Sequence, residues 1–407
     1  MDIVGLTATG TFAIEIAHDI FANHSVESLE AGWYPRRILY NDIGRILDNN
    51  IGILLFNRLK KPLGANPEFL DKIREMASFL VAELARKTEQ EYQKLLMQLC
   101  LSIAAYLGRN KVFSLLHSVQ PEYNMPDIAY LKAPLDLAQM LIAAVAVDAH
   151  DLATTLLSQM SEKSPWRIQV FGSPLTFAID RGSEQIVRTI LDCSVHSGTR
   201  GVSIQGVFSE YDIYGTWTPM AHAIGSRQPG VLRVIKEFHE KHIGPSDKKM
   251  FNTLLSRAIR SGMIQIVQII LHLKVPRGAT VTMNHLIGAA NAHSPEIMLA
   301  ITSAPGMGIN RRFKNTSPLI AAVQARDVHV VRALLNAGAD VDMKVDANGP
   351  EKSALSVAIE AGYDVITQVL LDHGATLPPA SRWPKKTSRK CKGVLELLYK
   401  EERKRST

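Results

Sequence analysis

The sequence predicts an all-α helical solenoid of about eight repeats, with a helical N-terminal cap and a short C-terminal helix. Eight times between residues 101 and 371, a large aliphatic residue is followed three positions later by Ala and fifteen positions later by Leu or Ile. Most copies start 31 to 36 residues apart, a period typical of stacked repeats. The composition agrees, because 46% of the residues are hydrophobic and only 6% are aromatic, which suits Leu, Ile and Ala packed between helices.

Each copy of this motif is named here by its leading residue. The leading residues are Leu101, Leu141, Leu175, Met220, Leu255, Leu286, Leu319 and Leu355. The alanines are Ala104, Ala144, Ala178, Ala223, Ala258, Ala289, Ala322 and Ala358. The closing residues are Leu116, Leu156, Ile190, Ile235, Ile270, Ile301, Leu334 and Leu370.

The Leu319 copy shows why this pattern predicts a pair of helices. Ser317 can cap a helix whose first turn holds Pro318, a position where proline loses no hydrogen bond. The small Ala322 then allows adjacent helices to approach closely. Asp327 can cap a second helix, and Gly338 stands where that helix has to stop. Because one such pair cannot bury its apolar face alone, we expect the pairs to stack.

The residues from 317 to 377 resemble the ankyrin repeat, whose unit carries T-P-L-H-x-A and later Leu-Leu followed by Gly-Ala. The matching pairs are Leu334-Leu335, Gly338-Ala339, Leu370-Leu371 and Gly374-Ala375. The resemblance implies an ankyrin-type solenoid that binds another protein. The chain is similar to the diverged ankyrin proteins of filamentous fungi, some of which are linked to gene regulation.

One departure from the family concerns a histidine that usually ties neighbouring repeats by hydrogen bonds. The family places it directly after the leading residue. This chain has Thr176, Ala221, Ile320 and Ser356 at that place. We therefore expect an array that is less regular than an idealised one.

The sequence divides into three predicted parts. Residues 1–95 form a helical region that holds either decayed repeats, which would raise the total to ten, or a capping subdomain. Residues 96–380 form the repeat array, with an insertion at 196–217 where two leading residues lie 45 positions apart. Residues 381–407 form a basic tail and helix. From residue 382 onward there are ten Lys or Arg and three Glu, which accounts for the whole net charge of +7.

No catalytic residues, cofactor or metal site are predicted. The chain has no H-E-x-x-H, G-x-S-x-G or phosphate-binding G-x-x-x-x-G-K-[ST] motif. His239 and His242 could bind a metal from one helix face, but we interpret them as solvated polar residues at a helix end. We therefore predict a non-enzymatic interaction scaffold. The alternative is an enzyme or enzyme subunit that uses the solenoid groove or the N-terminal helices as a pocket.

The predicted partner-binding residues are those that should face the concave side of the first helices, together with aromatic residues of the insertion. They are Phe177, Asp180, Arg181, Tyr211, Tyr214, Trp217, His222, Arg257, Arg260, Asn291, Gln324 and Glu360. Arg257 and Arg260 lie one helical turn apart and could bind an acidic partner together.

The basic tail has two interpretations. Clustered Lys and Arg can bind the nuclear import machinery or an acidic partner, or they can form a solvated terminus. The residues are Lys385, Lys386, Arg389, Lys390, Lys392, Arg403, Lys404 and Arg405. Sequence-specific DNA binding is not expected, because no recognised DNA-binding module accompanies the tail.

Three widely spaced cysteines, Cys100, Cys193 and Cys391, cannot form a disulfide framework. No apolar run is long enough for a membrane span, and the start lacks the pattern of a secretory signal. These features predict a cytoplasmic or nuclear protein that does not insert into membranes. The tail favours a regulatory adaptor or transcriptional coregulator.

Overall fold

The computed structural model describes residues 50–60, 67–86, 88–116, 131–160, 171–196, 219–275, 280–346, 351–384 and 392–406. Predictions for the first 49 residues and for nearly all of the insertion lie outside the described residues. The chain divides into two compact units, Met1–His222 and Ala223–Thr407, and each is considered by itself. The three-part division made from the sequence stays a prediction.

In the first unit, a helical segment at residues 50–60 precedes the labelled helices. These are α1 (Pro67–Glu83), α2 (Glu89–Leu116), α3 (Leu137–Ala146), α4 (His150–Gln159), α5 (Pro174–Arg181) and α6 (Glu184–His196). Helix α2 is itself a pair of helices, because Gly108 interrupts it with a φ of 71° and a ψ of 166°. Helix α7 (Pro219–Gly225) spans the boundary between the units.

The second unit continues the helix pairs to the end of the array. The helices are α8 (Pro229–His242), α9 (Lys248–Ser261), α10 (Ile264–Leu271), α11 (Met283–Asn291), α12 (Pro295–Thr302), α13 (Pro318–Gln324), α14 (Val328–Asn336), α15 (Ala354–Ala361), α16 (Asp364–Asp372) and α17 (Lys392–Ser406). A 3₁₀ turn follows α16 at Ala380–Arg382. Two short strands, β1 (Lys344–Val345) and β2 (Lys352–Ser353), pair antiparallel with Lys344 opposite Ser353.

Helices of equivalent position stack on one another within each unit. In the first unit, α3 packs on α5 and α4 packs on α6. In the second unit, the first helices α9, α11, α13 and α15 each contact the next, and so do the second helices α8, α10, α12, α14 and α16. The prediction of an all-α solenoid of paired helices is therefore confirmed.

The motif residues form the core between the stacked helices. All eight alanines and all eight closing residues are at most 4% exposed. The leading residues are at most 3% exposed except Leu101, which is 43% exposed. At Leu101 the preceding helical segment passes so closely that a Cβ added at Gly52 would lie 2.8 Å from the Leu101 Cα. In the first copy, the preceding helical segment therefore contacts both the backbone and the Cδ2 of Leu101, whereas the later copies bury the whole leading side chain.

The turn between the two helices of each pair has a positive φ at the residue seven positions after the leading residue. The values lie between 53° and 75°. The residues are Gly108, Asp148, Gly182, Arg227, Gly262, His293, Arg326 and Gly362. A residue other than glycine costs about 1–2 kcal/mol in this region. The sequence did not predict this position, which marks all eight copies.

Three of the four side chains at this turn position contact the next repeat. The Ser183 hydroxyl donates to the Asp148 carboxylate at 2.7 Å. The imidazole Nδ1 of His293 lies 2.9 Å from a carboxylate oxygen of Asp327, and the Arg326 guanidinium lies 4.9 Å from the centre of the Tyr363 ring. We infer that these contacts offset the backbone strain by tying neighbouring repeats together.

Helix α17 covers the last repeat. It packs on α16 through Val394 and Leu398, which are fully buried. The Arg405 guanidinium donates to the carbonyl of Ala375 at 3.0 Å. The C-terminal helix expected from the sequence thus forms, and it docks on α16 as a cap of the array.

Candidate functional site

One position of the first helix stays exposed through the second unit. It lies five residues after each leading residue, about 140° around the helix from it. The exposed residues at this position are Gly225, Arg260, Asn291, Gln324 and Glu360. Because the first helices α9, α11, α13 and α15 lie side by side, the four polar residues follow one another across the stack. They are called the first-helix row below.

The polar groups of the first-helix row differ in how far the protein itself uses them. Within the described residues, the amides of Asn291 and Gln324 make no hydrogen bond. The Nε of Arg260 donates to the Ser256 carbonyl at 3.3 Å, which leaves the outer nitrogens of the guanidinium for other groups. The Glu360 carboxylate lies 2.6 Å from the Lys352 ammonium. The row therefore offers hydrogen-bond donors and acceptors to a neighbouring molecule.

Two other predicted residues of the first helices pair with each other in the first unit. The His222 Nε2 lies 3.0 Å from an Asp180 carboxylate oxygen, and their side chains are 15% and 25% exposed. Arg181, next to Asp180, is exposed. Arg257 is half-buried and interacts within the protein. Arg257 and Arg260 do lie one turn apart on α9, but their joint binding of an acidic group stays a prediction.

The predicted placement of Phe177 on an exposed face is wrong. Its side chain is 2% exposed, and its ring centre lies 4.4 Å from that of Tyr106. The Tyr106 ring comes from α2, two copies earlier in the chain, and covers the face that helical geometry alone leaves open. Phe177 thus belongs to the core. Tyr211, Tyr214 and Trp217, also predicted as binding residues, lie outside the described residues.

A histidine bridge between repeats exists two positions before the place that the family pattern predicts. His285 precedes the leading residue Leu286, and its Nδ1 accepts a hydrogen bond from the Thr282 backbone N–H at 3.1 Å. Its Nε2 lies 3.1 Å from the Asn252 carbonyl of the previous repeat. These partners require a neutral ring with the proton on Nε2. Helix α11 begins earlier relative to its leading residue than α13 does, which moved the histidine out of the expected register.

Acid is expected to destabilise the protein through His285. Burial lowers the pKa of His285, although the hydrogen bond to the Asn252 carbonyl acts in the opposite direction. The ordinary value in an unfolded chain is about 6.5. The unfolded chain therefore binds more protons as the pH falls below about 6.5, so stability is full above that pH and decreases below it.

The measurement is the urea midpoint of unfolding between about pH 7.5 and pH 5. A His285→Gln variant cannot take up this proton, so its midpoint should fall less steeply with decreasing pH than that of the unmodified protein. Parallel decreases in the two proteins would assign the acid sensitivity to other groups. His239 is one such group, because burial also lowers its pKa.

A groove of about 330 Å³ lies on the second helices α8 and α10. Its lining residues are Arg233, Lys236, Glu237, Gln265, Gln268, Ile269 and His272. The Lys236 ammonium pairs with Glu240 at 3.2 Å, and Nδ1 of His272 lies 2.7 Å from the Gln268 carbonyl. Within the described residues, no group of three or more His, Cys, Asp or Glu could hold a metal ion.

Part of the basic tail has a structural use. Lys385, Lys386, Arg389 and Lys390 lie outside the described residues, whereas Lys392 is exposed at the start of α17. The Arg405 Nε and the Lys404 ammonium lie 2.9 and 3.7 Å from the Glu401 carboxylate. Arg403 is exposed in the same last turns. The second basic cluster therefore belongs to the capping helix, while the role of the tail in import or partner binding stays a prediction.

Comparison with known proteins identifies one family over part of the chain. Residues 286–379 match the family model described as ankyrin repeats in three copies. Among solved structures, the ankyrin repeat domain of Bcl-3, a unique member of the IkappaB protein family, is 20% identical with a TM-score of 0.40 over 55% of this chain and 98% of that chain. The ankyrin repeat domain of human ASB11 is 18% identical with a TM-score of 0.31 over 63% of this chain and 96% of that chain. A search of curated proteins finds no match.

Stacked helix pairs with one recurring turn conformation define a helical repeat protein of the solenoid class. Residues 286–379 are ankyrin repeats, so the resemblance seen in the sequence at residues 317–377 is confirmed. Ankyrin repeats indicate protein–protein interaction. None of the helices among the described residues is both long and apolar enough to cross a membrane.

Proposed function

We propose that this protein is a non-enzymatic interaction scaffold, a regulatory adaptor or transcriptional coregulator, that binds another protein through its first-helix row. The row itself carries the proposal, because one repeat position stays exposed while its residue changes from Arg to Asn to Gln to Glu. A constant backbone with a variable exposed position is the arrangement that repeat proteins use for recognition. In the first unit, Arg181, Asp180 and His222 are proposed as partner contacts by themselves. The protein would act in the cytoplasm, the nucleus or both.

The test is a variant that changes the row without touching the core. Arg260→Glu, Asn291→Arg and Gln324→Arg are combined, since all three side chains are exposed. Proteins captured from cells by the unmodified chain are identified, purified and then measured directly against the variant. Because the variant reverses one charge and adds two bulky groups, we expect at least about a tenfold loss of affinity.

The matched control makes the same types of change on exposed second-helix residues, namely Arg332→Glu, Gln265→Arg and Gln268→Arg. Both variants leave the net charge unchanged. The control is expected to retain affinity within about twofold. Equal binding by the row variant and the unmodified chain would overturn the proposed surface. Turnover of a metabolite in the groove on α8 and α10 would favour the alternative of an enzyme.

A further inference from the structure

The loop between α12 and α13 carries an isolated positive charge. Arg311, Arg312 and Lys314 are exposed, and residues 303–316 contain no Asp or Glu. None of the three makes an ion pair within the described residues. Three like charges in four positions repel one another, so the free protein gains nothing from their grouping. They are called the basic tip below.

The loop that presents the basic tip is held in shape by its own hydrogen bonds. The Arg311 N–H donates to the Gly308 carbonyl at 3.1 Å, and the Phe313 N–H donates to the Thr316 carbonyl at 2.9 Å. Met307 anchors the loop, because its side chain is 3% exposed. The cations therefore project from an ordered turn, which lowers the entropy lost when a partner orders them.

Asn310 fixes this turn against the next repeat. Its amide oxygen accepts from the Asp340 N–H at 2.8 Å, and its amide nitrogen donates to the Gly338 carbonyl at 3.3 Å. The carboxylates of that neighbouring loop are themselves engaged: Asp340 accepts from the Asp342 N–H at 3.0 Å, and Asp342 accepts from the Thr376 N–H at 2.8 Å. These acids cap backbone groups and leave the basic tip unneutralised.

We propose that the basic tip docks an acidic segment of the protein partner. This inference deepens the proposed function and rests on it. Charge complementarity gives the chemistry, because Arg and Lys grouped at one point favour Asp and Glu side chains.

The surroundings of the tip favour a short acidic protein segment over a nucleic acid. Residues 336–353 of the neighbouring loop carry four acidic and two basic residues. This local negative charge would repel a continuous phosphate backbone, which needs an extended basic path and stacking aromatic rings. The aromatic residue of the tip, Phe313, is itself half-buried. A compact acidic segment reaches the three cations without running over the neighbouring carboxylates.

The experiment measures binding of a fluorescein-labelled oligo-glutamate peptide to the full chain by fluorescence anisotropy. The Arg311→Glu, Arg312→Glu, Lys314→Glu variant is expected to bind at least about tenfold more weakly than the unmodified chain. A Gln version of the same triple variant should give an intermediate loss and guards against misfolding of the reversed one. Binding should also weaken as salt is raised from about 50 to about 150 mM.

The control variant makes the same total charge change elsewhere on the second unit. Lys248→Glu, Lys249→Glu and Arg332→Glu replace exposed cations, and its affinity is expected to stay within about twofold of the unmodified chain. Equal losses in the two variants, or no binding of the peptide by the unmodified chain, would overturn the proposal. The proposal would also be overturned if the unmodified chain bound an oligothymidine more tightly than the peptide and the tip variant abolished that binding. That result would favour a nucleic acid as the partner.

The captured partner separates this inference from the proposed function. If the partner is lost by the row variant but retained by the tip variant, the basic tip is not a docking site and the first-helix row still is. If both variants retain the partner, the proposed function itself fails. Loss of the partner from both variants is the result expected from a partner that contacts both surfaces.

Discussion

Replacing Gly172 by alanine is expected to lower the free energy of unfolding by about 3 kcal/mol. Gly172 has a φ of 76°, and a Cβ there would lie 1.8 Å from the phenolic oxygen of Tyr106. The Tyr106 ring cannot move aside freely, because it packs on the buried ring of Phe177 with centres 4.4 Å apart. The substitution therefore combines backbone strain with overpacking where α2 contacts the turn before α5.

The control for Gly172→Ala is the same substitution at Gly262. Its φ of 70° is similar, but a Cβ there would meet no atom within 4 Å, so a cost of about 1–2 kcal/mol from backbone strain alone is expected. Urea unfolding of the two variants separates the contact from the strain. Adding Tyr106→Ala should recover part of the stability lost by Gly172→Ala, and equal losses at the two glycines would show that Tyr106 moves away without cost.

The stacked core could be predicted from the sequence because its contacts repeat. Each copy has a leading aliphatic residue, a small Ala one turn later and an aliphatic closing residue. This pattern predicts which helix faces pack together, and all eight alanines are indeed buried. The prediction weakens where a contact depends on a neighbour of a different kind. Leu101 stays exposed although the preceding helical segment approaches its backbone at Gly52. Phe177 is buried because Tyr106 covers it, and neither contact is encoded in the repeat period.

The turn after each first helix was missed for a different reason. Glycine stands at this position in half of the copies, and an alignment of the copies could have suggested a positive φ there. The other four copies obscure the signal, because residues of these types do not predict a left-handed turn. They are Asp148, Arg227, His293 and Arg326. Long-range contacts of those side chains, such as Arg326 with Tyr363, lie beyond any local sequence pattern.

The candidate site could be predicted only in part. Helical spacing identified the exposed polar residues of the first-helix row, which lie where α9, α11, α13 and α15 stack. The composition predicted a basic site in the tail and missed the basic tip, because the net charge of the chain equals that of its last residues. Whether a cation is paired depends on its neighbours in space: Arg405 is held by Glu401 and the Ala375 carbonyl, whereas Arg311 and Arg312 make no ion pair within the described part of the chain.

Replacing Lys72 by alanine is expected to destabilise the first unit by about 2–5 kcal/mol. The Lys72 side chain is fully buried in α1, and its ammonium lies 2.6 Å from the carboxylate of Glu75, whose side chain is 51% exposed. The same ammonium donates to the Ala133 carbonyl, which ties α1 to the segment before α3. Removing the side chain leaves a cavity beside the core and an unpaired carbonyl group. Urea unfolding of the full chain measures the loss.

A second ion pair of the same spacing on α1 provides the matched comparison. Asp71 lies 2.5 Å from Arg74, but these side chains are 60% and 35% exposed, so Asp71→Ala should cost about 0.5 kcal/mol or less. Glu75→Ala removes the carboxylate that lies three residues from Lys72. The Lys72 ammonium then stays buried with only a carbonyl as partner, so a clearly larger loss of stability than for Asp71→Ala is expected. Lys72→Met keeps the aliphatic stem and should be less destabilising than Lys72→Ala. Similar small losses for Asp71→Ala and Glu75→Ala would mean that solvent reaches Lys72 and that its pairing contributes little to the stability of the first unit.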